Sequence, residues 1–146
     1  MTPSLVLVDS GPLIAYYDQN DRWHQRVQDF FHGCRSQFVT TECCITEAMW
    51  LLKADFLVQN ELLLDLSRGL YVSEALQAID FSRIAELNCK YSDIAADFAD
   101  LSLIAISERL DISSIASLDK DFDIYRRLGK QRFVRIFPKA QKHPTK

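Results

Sequence analysis

The sequence predicts an α/β protein in which helices cover both faces of a parallel sheet. Short apolar runs of strand length alternate with longer amphipathic segments along the chain. The first run, Leu5 to Val8, is apolar at every position, which is typical of a strand covered on both faces. With 146 residues, 48% hydrophobic and 25% charged, the chain fits one ordered globular domain.

Five apolar runs are strand candidates, and each ends at a polar residue, Gly or Pro. The first ends at Asp9, and the fifth ends before Pro138. Because parallel strands present their carboxyl ends at one edge of the sheet, a ligand site is expected there. The predicted strands are residues 5–9, 38–40, 70–72, 114–118 and 133–137.

Helices are predicted between the strands from capping and stop signals. Asn20-Asp21, Thr41, Asp80 and Asp93 are placed to begin helices, whereas Gly33 and Gly69 are placed to end them. The predicted helices cover residues 13–17, 22–32, the segment after Thr41 that carries Glu47, and residues 57–68, 80–90, 93–110 and 122–128.

We assign residues 1–138 to the domain and 139–146 to a basic, frayed tail. The net charge of −3 gives no global attraction for nucleic acid. The four cysteines form no CxxC pair and fit free thiols in a reducing compartment. No stretch is apolar enough for a membrane span or a signal segment, so we expect a cytoplasmic protein with no membrane partner.

Four carboxylates interrupt or end apolar runs that contain no Lys or Arg. They are Asp9, Glu47, Asp100 and Asp119. An ionised carboxylate in apolar surroundings is costly unless it is paired or bound to a cation. Oxygen ligands of this kind favour Mg²⁺ or Mn²⁺ over zinc or copper. The four acids therefore predict a divalent metal site.

Each acid also has an ordinary structural interpretation. Asp9 before Ser10-Gly11 can begin a turn, and Glu47 can lie on a solvated helix stripe. Asp119 can be a turn residue, whereas Asp100 has apolar neighbours on both sides. A cluster of three or four such acids fits phosphodiester hydrolysis, with Asp119 as the spare carboxylate.

Four short segments together resemble the PIN-domain ribonucleases, especially the VapC-like toxins of toxin–antitoxin pairs. They are Val8 to Ala15, Thr46 to Ala48, Phe98 to Ala105 and Ser117 to Phe122. Their order and spacing make the resemblance more specific than any single segment does. It extends over residues 5–137, and Ser117 stands where Thr is usual in the family.

The resemblance implies a three-layer α/β/α fold with a central parallel sheet of about five strands. It also implies metal-dependent endonucleolytic cleavage of RNA, a homodimer and a small antitoxin partner. Carried over by position, the implied site comprises the core acids Asp9, Glu47 and Asp100, the fourth acid Asp119, and the supporting hydroxyls of Ser10 and Ser117.

A ribonuclease also needs cations that contact phosphate. Lys120, Arg126 and Arg127 follow Asp119 and are candidate RNA contacts, although a solvated charged face is an equally good interpretation. Two other functions stay open at this point. A PIN-like module could bind RNA or protein without catalysis. An aspartyl phosphatase would use Asp9 as nucleophile, but it would usually carry a second Asp at position 11, where this chain has Gly.

Overall fold

A computed structural model describes residues 4–137 of the chain. The predicted tail, residues 139–146, lies outside this range, and the domain boundary at residue 138 stays a prediction. Within the described residues no helix is long and apolar enough to cross a membrane.

Within residues 4–137, five parallel strands form the central sheet, as predicted. The strands are β1 Leu5–Val8, β2 Gln37–Thr40, β3 Tyr71–Ser73, β4 Ser114–Ala116 and β7 Val134–Phe137. Their order across the sheet is β3-β2-β1-β4-β7, with β1 at the centre. The chain first adds strands on one side of β1 and then on the other. The strand order therefore reverses between β1 and β4, and open α/β sheets have a ligand-binding crevice at such a point.

Six α-helices of the described chain flank this sheet and complete the predicted three-layer α/β/α fold. The last helix, α6 (Phe98–Arg109), is buried continuously from Ala99 to Ser107. Its sequence is apolar on nearly every side, which suits a helix enclosed by other elements. The helices are α1 Ser10–Tyr17, α2 His24–Gly33, α3 Glu42–Leu51, α4 Phe56–Ser67, α5 Ala78–Lys90 and α6 Phe98–Arg109.

Four predicted helix starts are wrong by two to five residues. Helix α1 begins at Ser10 instead of Leu13, and α2 begins at His24, where Trp23 is the cap and not Asn20-Asp21.

The starts of α5 and α6 also differ from the prediction. Gln77 caps α5, and Asp80 lies in its first turn, where its carboxylate accepts a hydrogen bond from the Gln77 backbone N–H. The predicted helix at 93–110 is divided, because Ala95 has a φ of 51° and ends a 3₁₀ turn. Asp97 then caps α6.

The predicted helix at 122–128 is wrong. A 3₁₀ turn over Lys120–Asp123 leads into a hairpin of β5, Arg126–Arg127, and β6, Gln131–Arg132. Leu128 and Gly129 both have positive φ, 52° and 83°, so the chain reverses instead of continuing as a helix.

The hairpin is fixed to α6 by Arg127, which is only 2% exposed. Its guanidinium donates to the backbone oxygen of Ser107 at 2.8 Å, to Ser107 Oγ at 3.2 Å and to Gln131 Oε1 at 3.1 Å. It also pairs with the Asp111 carboxylate at 3.0 Å. Asp111 is 88% exposed, so most of the stabilisation comes from the buried hydrogen bonds.

We expect Arg127→Ala to lower the free energy of unfolding by about 2–3 kcal/mol, because buried hydrogen-bonding groups lose their partner. Urea unfolding followed by circular dichroism measures the change. The control is Arg132→Ala, on the exposed strand of the same hairpin, which should change stability by less than about 0.5 kcal/mol. Equal stability of both variants would contradict the structural role of Arg127.

Candidate metal-binding active site

Three of the predicted acids meet at the carboxyl edge of the sheet. One carboxylate oxygen from each of Asp9, Asp100 and Asp119 lies within 4.8 Å of the others. Asp9 and Asp100 are 5% and 6% exposed, and Asp119 is half-buried. We refer to these three residues as the acidic trio.

Asp9 follows β1 directly and caps α1. Its backbone N–H donates to the oxygen of Ala116 on β4 at 3.1 Å, which continues the sheet by one residue. Its Oδ1 accepts from the Ser10 backbone N–H at 2.8 Å, and its Oδ2 accepts from Ser117 Oγ at 2.9 Å. Each carboxylate oxygen of Asp9 is therefore held by one donor.

Asp100 enters the site from the first turn of α6. Asp97 caps this helix, and its Oδ1 accepts a hydrogen bond from the Asp100 backbone N–H at 2.8 Å. The Asp100 side chain therefore lies at the N-terminus of the helix. Its Oδ2 accepts from the hydroxyl of Tyr125 at 2.8 Å. Acids are favoured in the first turn, where the backbone N–H groups are partly unpaired.

Asp119 lies beyond the end of β4. Its backbone N–H donates to Ser117 Oγ at 3.0 Å, and its Oδ1 accepts from the Asp121 backbone N–H at 2.9 Å. Ser117 thus accepts from Asp119 and donates to Asp9. One hydroxyl links two members of the acidic trio.

Glu47 lies beside the acidic trio rather than within it. It is half-buried on α3, and the Ser10 hydroxyl donates to its Oε1. The resemblance implies that Glu47 is a core acid and Asp119 the fourth, whereas the geometry groups Asp119 with Asp9 and Asp100. Ser10 and Ser117 both contact acids of the site, and their supporting role stays a prediction.

Burial and mutual repulsion change the acidity of the trio. Burial is the largest cause that raises the pKa of Asp9 to about 6, and the charges of Asp119 and Glu47 add to it. Burial, followed by the charges of Asp9 and Asp97, raises the pKa of Asp100 to about 8. The hydrogen bonds from Ser117 and Tyr125 act in the opposite direction. Removal of water and crowding of charge thus outweigh the hydrogen bonds at both carboxylates.

The acidic trio suits a hard divalent cation. Its donors are all carboxylate oxygens, the type of ligand that Mg²⁺ and Mn²⁺ prefer. Among residues 4–137, the ion pairs formed by Lys and Arg involve other acids and none from the trio. A bound cation would therefore offset the unfavourable free energy of placing these three carboxylates together.

The three predicted RNA contacts lie in different surroundings. Lys120 is exposed next to Asp119. Arg126 is half-buried, and its Nη1 donates to the backbone oxygens of Asp123, Ile124 and Tyr125. The buried guanidinium of Arg127 is held by α6 and the hairpin, as described above, so we leave Arg127 out of the candidate RNA surface.

Tyr125 is the site residue that sequence reasoning missed. It is fully buried and touches the acidic trio through its hydroxyl. Its segment was predicted as a short helix, so nothing in the pattern directed its side chain toward Asp100. Tyr125 lies between the 3₁₀ turn and the hairpin, and this path of the chain places its hydroxyl next to Asp100.

The fold and the acidic trio resemble those of VapC-type PIN domains, and comparisons with known proteins point to the same similarity. No protein-family model matches the chain. The ribonuclease VapC26 of Mycobacterium tuberculosis strain H37Rv is 25% identical over 134 residues, which cover 90% of this chain and 99% of that protein. The crystal structure of Mycobacterium tuberculosis VapC20, described as a sarcin–ricin loop cleaving toxin, superposes with a TM-score of 0.75. That match covers 83% of this chain and 94% of VapC20 at 15% identity.

These similarities confirm the predicted resemblance to VapC-like PIN-domain ribonucleases. VapC26 supports it over almost the full length of that protein. VapC20 supports it at the level of the three-layer fold.

The raised pKa of Asp100 predicts a pH-dependent cost in the metal-free protein. The pKa of the Asp100 carboxyl is higher in the folded chain than in the unfolded chain. Its contribution to the free energy of unfolding of the metal-free protein therefore falls as the pH rises from about 4 to about 8. We expect Asp100→Asn to raise the Tm in EDTA at pH 9 by on the order of 5 °C, and by much less at pH 4.5.

Differential scanning fluorimetry at the two pH values measures this difference. Asp29→Asn, an exposed acid on α2, serves as the control and should shift the Tm little at either pH. An equal gain for Asp100→Asn at both pH values would show that ionisation of Asp100 is not the cause.

Proposed function

We propose that this chain is a metal-dependent endoribonuclease that hydrolyses RNA phosphodiester bonds and acts as the toxin of a toxin–antitoxin pair. Its PIN-like fold, the similarity to the ribonuclease VapC26 and the acidic trio support the reaction class. The toxin role is taken from the same relatives. We also propose the cytoplasm as the place of action.

One observation carries the proposal. Two nearly buried carboxylates, Asp9 and Asp100, lie with Asp119 within 4.8 Å and without a Lys or Arg partner among residues 4–137. A structural role alone would favour paired or apolar side chains at such positions. A site that binds a cation and a phosphate explains why carboxylates occupy them.

The four acids have different proposed roles in hydrolysis. Asp9, Asp100 and Asp119 would hold Mg²⁺ or Mn²⁺. When bound, the cation supplies charge stabilisation for the phosphate and lowers the pKa of the attacking water. Glu47, whose Oε1 accepts a hydrogen bond from Ser10 Oγ, would accept a hydrogen bond from the attacking water.

RNA contact is assigned to Lys120, an exposed cation that directly follows Asp119 in the chain. Lys120 extends into solvent beside Asp119, where its ammonium group can meet a backbone phosphate. Arg126 is a weaker candidate, because its Nη1 already binds three backbone oxygens. A single lysine would position the backbone without reading the base sequence.

Protein partners are proposed from exposed apolar side chains. Helix α4 has only Leu62 buried, whereas Phe56 and Leu57 are 67% and 61% exposed. Trp50 on α3 is 64% exposed. Apolar surfaces of this kind are typical of protein interfaces, and we assign them to a second copy of the chain and to a small antitoxin.

The aspartyl phosphatase is less well supported. Such an enzyme would need an acidic side chain at position 11, and a β-carbon built on Gly11 lies 3.5 Å from Leu118. That distance is an ordinary van der Waals contact, and the Gly at this position leaves the chain without the second carboxylate.

Cleavage is expected to require an added divalent cation. The purified protein should cut RNA in Mg²⁺ or Mn²⁺, lose the activity in EDTA and regain it when Mn²⁺ is added in excess, since the carboxylates alone cannot stabilise the phosphate charge. Gel analysis of a total-RNA substrate and of defined single-stranded oligonucleotides measures the rates. Undiminished cleavage in EDTA would contradict the proposed mechanism.

Substitutions should rank the acids by their place in the site. We expect Asp9→Asn, Asp100→Asn and Asp119→Asn each to lower the cleavage rate more than about 100-fold, and Glu47→Gln to lower it about 10–100-fold. Glu61→Gln, an exposed glutamate on α4, is the control for the charge change. Parent-like rates for Asp9→Asn and Asp100→Asn would show that the site assignment is wrong.

A further inference from the structure

Tyr125 places a neutral donor against a buried acid of the site. Its side chain is 0% exposed, and its hydroxyl donates to Asp100 Oδ2 at 2.8 Å. No other residue among 4–137 donates a hydrogen bond to the Asp100 carboxylate. Tyr125 therefore determines how the described chain holds this side chain.

The ring of Tyr125 is itself fixed by aromatic packing. It meets the rings of Tyr91 and Phe122 nearly edge-on, each with centroids 5.0 Å apart. Phe122 in turn packs against Phe133 at 5.4 Å. Such packing leaves the hydroxyl little freedom to leave Asp100.

The hydroxyl of Tyr91 has a different partner, although the two rings touch. It accepts the backbone N–H of Arg126 at 2.8 Å and anchors the start of the hairpin. Two buried tyrosines thus lie side by side, and of these only Tyr125 contacts the acidic trio. This pair offers a matched comparison between packing and contact with the acid.

A hydroxyl donor suits a carboxylate that must also bind a cation. Asp9 has the equivalent arrangement, since its Oδ2 accepts from Ser117 Oγ at 2.9 Å. A Lys or Arg in the same place would neutralise the charge, whereas Ser and Tyr orient the carboxylate and leave it negative. The Tyr125 bond uses Oδ2 of Asp100 and leaves Oδ1 without a donor from residues 4–137.

We propose that Tyr125 is a positioning residue that fixes the Asp100 carboxylate in the orientation needed to share a divalent cation with Asp9 and Asp119. This inference rests on the proposed metal-dependent function. Hydrogen bonds to metal ligands typically change metal affinity about 10–100-fold when they are removed. Tyr125 is expected to act through the affinity of the site for the cation and not through contact with RNA.

The test compares Tyr125→Phe with Tyr91→Phe. Both variants keep the ring and lose one hydroxyl, but only the first removes a bond to Asp100. Titration with MnCl₂, followed by calorimetry and by the shift in Tm, gives the Kd for Mn²⁺. We expect Tyr125→Phe to raise this Kd about tenfold and Tyr91→Phe to change it less than about twofold.

RNA cleavage supplies a second measurement. In Tyr125→Phe the Mn²⁺ concentration for half-maximal rate should rise in step with the Kd, whereas the KM for RNA at saturating Mn²⁺ should match the parent. A parent-like Kd in Tyr125→Phe overturns the proposal. So does an equal loss of affinity in Tyr91→Phe, because packing would then explain the effect.

Phe122→Leu keeps the proposal testable if Tyr125→Phe does not fold. This variant keeps the hydroxyl but loosens the packing that holds it against Asp100, so the proposal expects a higher Kd for Mn²⁺ together with a lower Tm. A parent-like Kd in a Phe122→Leu variant whose Tm is lowered overturns it.

The proposed function can fail separately. If the parent binds Mn²⁺ and Tyr125→Phe weakens the binding, Tyr125 keeps its positioning role even when no RNA is cut. If the parent binds no Mn²⁺, both proposals fall.

Discussion

The repulsion between carboxylates gathered at one sheet edge is the constraint on which the site depends. Asp9 and Asp100 are nearly buried, and among residues 4–137 no Lys or Arg pairs with them or with Asp119. Burial raises the pKa of Asp9 to about 6 and, with neighbouring charges, that of Asp100 to about 8. The fold keeps these groups together at a cost that a divalent cation would offset.

The strand order explains how distant residues meet. Asp9 follows the central strand β1, and Asp119 comes after the neighbouring strand β4. The strand order reverses between these two strands, so the two acids lie on either side of the crevice at that point. Helix α6 is enclosed along most of its length, and its first turn carries Asp100 to the same edge. Hydroxyl groups then orient the carboxylates: Ser117 donates to Asp9 and Tyr125 to Asp100.

The sequence predicted the elements whose signal is local. Leu5 to Val8 is apolar throughout and became the central strand, and Asp100 was conspicuous because its neighbours are apolar. The hairpin after Asp119 was mistaken for a helix, since a positive φ at Leu128 leaves no mark on residue type. The role of Tyr125 was missed because the sequence does not distinguish a tyrosine that only fills the core from one whose hydroxyl also donates to an acid.

The central claim is that the acidic trio binds one hard cation. Anomalous diffraction from a crystal of the parent protein grown with MnCl₂ tests it most directly. The account predicts a manganese peak coordinated by carboxylate oxygens of Asp9, Asp100 and Asp119, at the 2.0–2.6 Å distances typical of hard-cation ligands. A peak elsewhere on the protein, or none under conditions where RNA is cleaved, would contradict it.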